Sequence, residues 1–171
     1  MEKLKLFLQR KNIVFSARRY GVDALAAMAQ GLFCSLLIGT ILNTIGTQTG
    51  LAFISTLGGY ATAMAGPAMA IAIGYALQAP PMVLFSLTAV GYAANVLGGA
   101  GGPLAVLIIA ILAAEAGKVV SKETKIDILV TPLVTIMVGV ALAAWWAPGI
   151  GAAAAQVGRL IMWATELQPL L

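Results

Sequence analysis

An all-α, polytopic transmembrane helix bundle of about five to six membrane-embedded segments is the fold class this sequence predicts. Apolar residues make up 61% of the chain and charged residues only 9%, where a soluble domain carries roughly 25% charged residues. The mean hydropathy is +0.98. Residues 24–114 contain no Asp, Glu, Lys or Arg, a stretch able to hold about four spans of roughly 20 residues each. A chain this poor in polar surface is built to face lipid.

The charges it does have are clustered. Lys3, Lys5, Arg10, Lys11, Arg18 and Arg19 precede the first apolar run, and Lys118, Lys122 and Lys125 share one short loop. Basic residues beside spans mark the cytoplasmic side, so the N-terminus and the loop at 121–127 are both expected there, with an even number of spans between them. The net charge of +4 is therefore no nucleic-acid signal, because no basic face interleaved with stacking aromatics accompanies it. With no histidine, and Cys34 the one cysteine, neither an internal disulfide nor a transition-metal site is expected, and no cofactor is indicated.

Two regions follow. Residues 1–20 mix Leu4, Phe7, Leu8, Val14 and Phe15 with basic residues, which suits an amphipathic helix on the inner leaflet; a solvated tail that sets orientation is the alternative. Residues 21–171 read as the transmembrane helical domain. Span one runs from about Val22 to Thr44 and is too long for a cleavable signal. Span two runs from about Leu51 to Leu77, interrupted at Gly66-Pro67. Gln78 to Pro81 breaks the chain before span three, about Met82 to Leu97. The glycine-rich break from Gly98 to Pro103 leads to span four, ending near Val120. Span five covers Ile128 to Trp146, and the tail from Pro148 has no assigned place.

Small residues recur every four positions, as Ala27, Gly31, Ser35 and Gly39 in span one and as Gly58, Thr62, Gly66, Ala70 and Gly74 in span two. Four residues turn a helix by about 400°, so each row keeps to one side with a slow drift. Helices in lipid associate through such close backbone approach, which makes these rows candidate packing seams; general Ala/Gly enrichment is the competing reading.

Enzyme motifs are absent: there is no phosphate-cradling glycine loop, no metal-ligand cluster and no nucleophile–base set. What remains is a candidate solute pathway. Short, Gly-interrupted spans mark binding regions in transporters, which nominates Asn95 with Gly98, Gly99, Gly101 and Gly102; a simple capped turn is the alternative. Glu115 is a costly near-membrane acid, although an i,i+3 ion pair with Lys118 also explains it. Asp23, four residues after Arg19, reads as a helix-start charge. Arg159 and Glu166, seven apart, share a helical face about 10 Å apart and join the candidate pathway as lining of a polar cavity; a place at the membrane interface is the alternative.

Several strings carry a resemblance. Arg19-Tyr-Gly-Val-Asp-Ala-Leu-Ala-Ala-Met-Ala-Gln-Gly-Leu-Phe, with Ser35-Leu-Leu-Ile-Gly-Thr-Ile after it, resembles the start of bacterial membrane (IIC-type) subunits of phosphotransferase-system sugar permeases. Lys118-Val-Val-Ser-Lys-Glu-Thr-Lys-Ile-Asp-Ile-Leu-Val-Thr-Pro and Trp163-Ala-Thr-Glu-Leu-Gln-Pro are similar to the same group. The resemblance implies a multi-pass inner-membrane permease of about twice this length, with this sequence as its amino-terminal half. It implies as partners the lipid bilayer, a C-terminal half or a second copy in a homodimer, and cytosolic phosphotransferase proteins, since phosphoryl transfer uses His or Cys on partner domains. No catalytic residue carries over. The expected function is transport of a small polar solute, with sugars as the implied class; a non-transporting membrane scaffold or sensor is the rival reading.

Overall fold

The structure, a computed structural model, describes residues 2–166, with side-chain surroundings for residues 6–163. Helix α1 (Glu2–Arg10) is followed by the long α2 (Arg18–Thr49), α3 (Ala52–Ala63) and α4 (Ala65–Ala76). Then come α5 (Pro81–Gly98), a 3-10 turn at Gly99–Gly101, α6 (Gly102–Val120) and α7 (Asp127–Glu166). Arg18–Thr49, Pro81–Val120 and Asp127–Trp163 are helical stretches long and apolar enough to cross a membrane; α3 with α4 adds a fourth, bent by 46°. The stretch Pro81–Val120 doubles back at its glycines, because Gly117 lies against Val83. Its arms, α5 and α6, are each about 27–29 Å long, near the 30 Å of a hydrocarbon core.

The helices alternate in direction. Arg19 meets Leu77 at one end of α2, and Gly46 meets Ser55 at the other, so α2 runs antiparallel to α3 and α4. Helix α4 lies against α5, α5 against α6, and α7 packs on both α5 and α6. Four apolar passes thus bring the chain back to the end where α2 began. The first half of α2 leans on α4, while its second half and α3 pair mainly with each other.

Proline explains two of the element boundaries. Pro81 and Pro103 sit in the first turns of α5 and α6, where a missing N–H costs nothing. The break in the second pass falls at Met64 and not at Gly66-Pro67. A proline ring collides with the carbonyl four residues earlier, here that of Ala63, so the helix parts ahead of the proline. Pro148 does not end span five: α7 runs 40 residues, through Pro132 and Pro148, and so takes in residues 148–166 of the tail that the sequence left unassigned.

The core is made of small and medium side chains, including Met69, Ile73, Val83, Leu87, Val90, Ile109, Ala113 and Ala143, all fully buried. Large apolar residues such as Phe33, Tyr60, Phe85, Leu133 and Trp145 face outward. Lipid solvates such side chains as well as a core would, so helix association rests on close backbone contact. At Gly31 a Cβ would stand 2.5 Å from the Ala68 carbonyl oxygen; at Gly39 it would stand 2.6 Å from the Thr62 methyl. A Cβ at Gly58 would stand 2.6 Å from the Asn43 backbone nitrogen, and Gly66 faces Gly91. Ser35, Gly39, Gly58, Gly66, Ala70 and Gly74 are buried, whereas Ala27 and Thr62 are half-buried and Ala24 is fully buried. A π-type segment at Phe33–Leu37 adds a residue to the turn there, which offsets the drift of a four-residue repeat.

Candidate functional site

The end of the bundle where α2 starts, α4 and α6 end and α7 begins is the polar one. Leu77 closes α4, and the last carbonyls of a helix have no partner within it and carry its partial negative charge. Two cations fill that position. Arg19 Nη2 donates to the Leu77 carbonyl at 2.5 Å, and Lys118 Nζ donates to the same oxygen at 3.1 Å.

Lys118 has a side chain only 1% exposed. Burying an ammonium costs several kcal/mol unless its hydrogens find acceptors, and it carries three of them. Besides Leu77 it donates to the Asn12 carbonyl and to Glu115 Oε1, each at 3.0 Å. Tyr20 donates its hydroxyl to the same Glu115 oxygen at 3.1 Å. Glu115 Oε2, by contrast, is buried with no partner among the described residues. The i,i+3 pair that the sequence offered as one reading of Glu115 is present, but Lys118 is turned inward and does not reach for the headgroups.

Around this buried node lies a second, open layer. Arg19 Nη1 donates to the Asn12 side-chain oxygen at 3.1 Å, and the Asn12 amide donates to Gln78. Lys11 pairs with Glu123 at 2.6 Å and donates to the Ser121 carbonyl; Arg10 also pairs with Glu123. The N-terminal segment is therefore fastened to the loop after α6. Glu123 is held below the ordinary carboxyl value of 4.5, chiefly by the Lys11 hydrogen bond and then by the charge of Arg10. A cavity of about 370 Å³ opens here, lined by Arg10, Lys11, Lys118, Lys122, Glu123 and Gln78 among others. Asn12, Gln78 and Lys122 hold φ of 54°, 54° and 62°, a left-handed backbone that costs a non-glycine residue roughly 1 kcal/mol.

The candidate pathway residues divide between the two ends. Glu115 belongs to the node, whereas Asn95 and the glycine turn lie at the far end of the α5–α6 hairpin, about 20 Å along α6. There Gly101 sits against Gly151 of α7, and a Cβ at Gly102 would stand 2.6 Å from the Asn95 side-chain oxygen. Gly98, Gly101 and Gly102 are buried; Gly99 is exposed, in a positive-φ conformation. Arg159 lies on α7 beyond Gly151, exposed beside Gln156, Leu160 and Trp163. The side chain of Glu166 falls outside the described residues. Asp23 is exposed and makes no ion pair among the described residues, because Arg19 is committed to Asn12 and Leu77.

Sequence reasoning passed over Asn12, Tyr20, Leu77 and Gln78. The signal for Gln78 was its place in a break just after an apolar run; for Leu77 there was none, since its carbonyl and not its side chain takes part.

Together the charge-poor, outwardly apolar helices and the charged node at one end define a helical membrane protein. The family model for "Phosphotransferase system, EIIC" matches residues 22–171, and the chain belongs to that family, the membrane permease subunits of the phosphotransferase system. No curated protein and no solved structure matches it.

Proposed function

We propose that this chain forms the membrane-embedded part of a phosphotransferase-system permease that carries a small polar solute, sugars being the implied class, into a bacterial cell. The family match over residues 22–171 carries this reading and favours it over a scaffold or sensor. The polar end is the cytoplasmic one, because every basic cluster beside a span gathers there. In this reading the Glu115–Lys118–Tyr20 node closes the inner end of the bundle, and the free oxygen of Glu115 is a hydrogen-bond acceptor for a polar solute. At the outer end Asn95, whose side chain makes no hydrogen bond among the described residues, borders the entrance with Gly98–Gly102. A second copy or a C-terminal half would complete the pathway, and cytosolic phosphotransferase proteins would supply the phosphoryl group.

Uptake by membrane vesicles tests this. Vesicles bearing the full-length protein, given a panel of labelled sugars, should accumulate one class as its phosphate ester only when cytosolic phosphotransferase components and a phosphoryl donor are present inside. Accumulation of unmodified sugar without them would refute the coupling, and no uptake of any sugar would refute the substrate class.

A further inference from the structure

The cavity between the N-terminal segment and the loop after α6 has more positive charge than its acids neutralise. Arg10, Lys11, Lys118 and Lys122 line it, against Glu123. Glu123 is shared by Arg10 and Lys11, and Lys118 is already paired with Glu115. Lys122 is exposed and its ammonium makes no hydrogen bond or ion pair among the described residues; Asp127, which accepts from the Lys122 backbone N–H, feels the charges of Lys122 and Lys11, so four cations face three acids. Arg10, 65% exposed, uses one nitrogen on Glu123 and leaves the rest of its five-donor fork open. Both Arg10 and Lys11 stand 5.6 Å from the Phe7 ring centre, which steadies the two cations side by side.

The surroundings say what kind of anion fits. Leu6, one turn before Arg10, is exposed, and so are Val14 and Phe15 just after Asn12. In the chain beside the loop, Val119 precedes it and Ile126, Ile128 and Leu129 follow it, all exposed. A cationic concavity flanked by bare apolar side chains, at the end of membrane-spanning helices, suits a ligand with an anionic head and an apolar tail. We propose that this cavity is a binding site for the phosphate headgroup of an anionic phospholipid, held by Lys122 and Arg10. The inference rests on the chain being embedded in a membrane and is independent of what it transports. A bound lipid would bridge α1 and the 121–126 loop, adding to the Glu123 contacts that join them.

The test titrates the purified full-length protein in a neutral detergent with short-chain phosphatidylglycerol, with phosphatidylcholine of the same chains, and with inorganic phosphate. Saturable binding of phosphatidylglycerol is expected, weakening as salt rises. Lys122→Gln should lower that affinity about 5-fold, and Arg10→Gln with Lys122→Gln about 30-fold, following the contribution of each basic residue near anionic lipid. Lys122→Arg should restore it. Because the Lys122 ammonium makes no ion pair and its backbone N–H keeps its bond to Asp127 in the variant, Lys122→Gln should melt close to the parent, so its result stands even if the double variant is unstable. Lys125→Gln, outside the cavity, should bind like the parent. Equal affinity for phosphatidylcholine, unchanged affinity in Lys122→Gln, or inorganic phosphate binding as tightly as the lipid would each overturn the proposal. Loss of sugar uptake in the vesicle experiment would leave this outcome untouched.

Discussion

The Lys118 ammonium and the Leu77 carbonyl, 3.1 Å apart, join the end of one helix to a side chain of another 41 residues further along the chain. This contact closes the four-pass circuit, because Leu77 ends the second pass and Lys118 lies near the end of the fourth. Its other hydrogens reach Asn12 and Glu115, so one buried cation holds the N-terminal segment, α4 and α6 at a common point.

Lys118→Met should therefore destabilise the bundle by about 3 kcal/mol, since it leaves Glu115 without its cation, the Asn12 carbonyl without the Lys118 donor and Leu77 with Arg19 alone. Glu115→Gln should cost less, because the amide oxygen can still accept from Tyr20 and Lys118. Melting temperatures in detergent should fall in that order. If Lys118→Met melted like the parent, the node would have no structural role.

How much of this was legible beforehand depends on the kind of signal. The passes could be read because charge-free runs of span length leave few alternatives, and the even crossing count followed from where the lysines fell. Met64 as the break point was hidden because a proline acts on the carbonyl four residues upstream. Glu115 and Lys118 drew notice as a pair, but nothing in the sequence said that Lys118 would turn inward, since its acceptors are backbone carbonyls of residues 12 and 77. Asn95 and Arg159 were grouped with Glu115 by chemistry alone, and the antiparallel hairpin separates Asn95 from it along nearly the whole of α6.

Packing between α2 and the pass opposite it gives a second prediction. A Leu side chain at Gly31 or Gly39 would meet the Ala68 backbone or Thr62, and overpacking of this kind costs about 1–3 kcal/mol or more. Gly59→Leu, where a Cβ meets nothing within 4 Å, and Ile38→Leu on the outward face should be tolerated. Equal losses of thermal stability at all four positions would show that the close approach carries no special weight.

Acid should loosen the N-terminal segment. The Glu123 carboxyl is held below 4.5 by Lys11 and Arg10, so its contribution is present in full above that ordinary value and disappears as pH falls through the lowered one. Spin labels at Leu6 and Thr124 should give one short distance at pH 7 that broadens in strong acid. Glu123→Gln should broaden it already at pH 7. A short distance that survives both changes would mean that the segment is held by other contacts.

The sidedness of the membrane is the last prediction. Arg19 joins Leu77, and Lys11 joins Glu123, so the start of α2, the α4–α5 break and the 121–126 loop share one end, whichever side that is. By the positive-inside pattern, the expected side for the basic residues gathered there is the cytoplasm. Ser121 is buried and unsuited to labelling, but Ala17 and Thr124 at this end, and Gly50 and Ala100 at the other, are exposed. Single cysteines at those four sites, in a Cys34→Ala background, should divide cleanly in intact cells. A membrane-impermeant thiol reagent should modify Gly50→Cys and Ala100→Cys, while Ala17→Cys and Thr124→Cys should react only with a permeant one. The reverse pattern would invert the topology and keep the fold. Labelling of Ala17→Cys but not of Thr124→Cys would break the even crossing count itself, and with it the placement of the N-terminal segment against the loop.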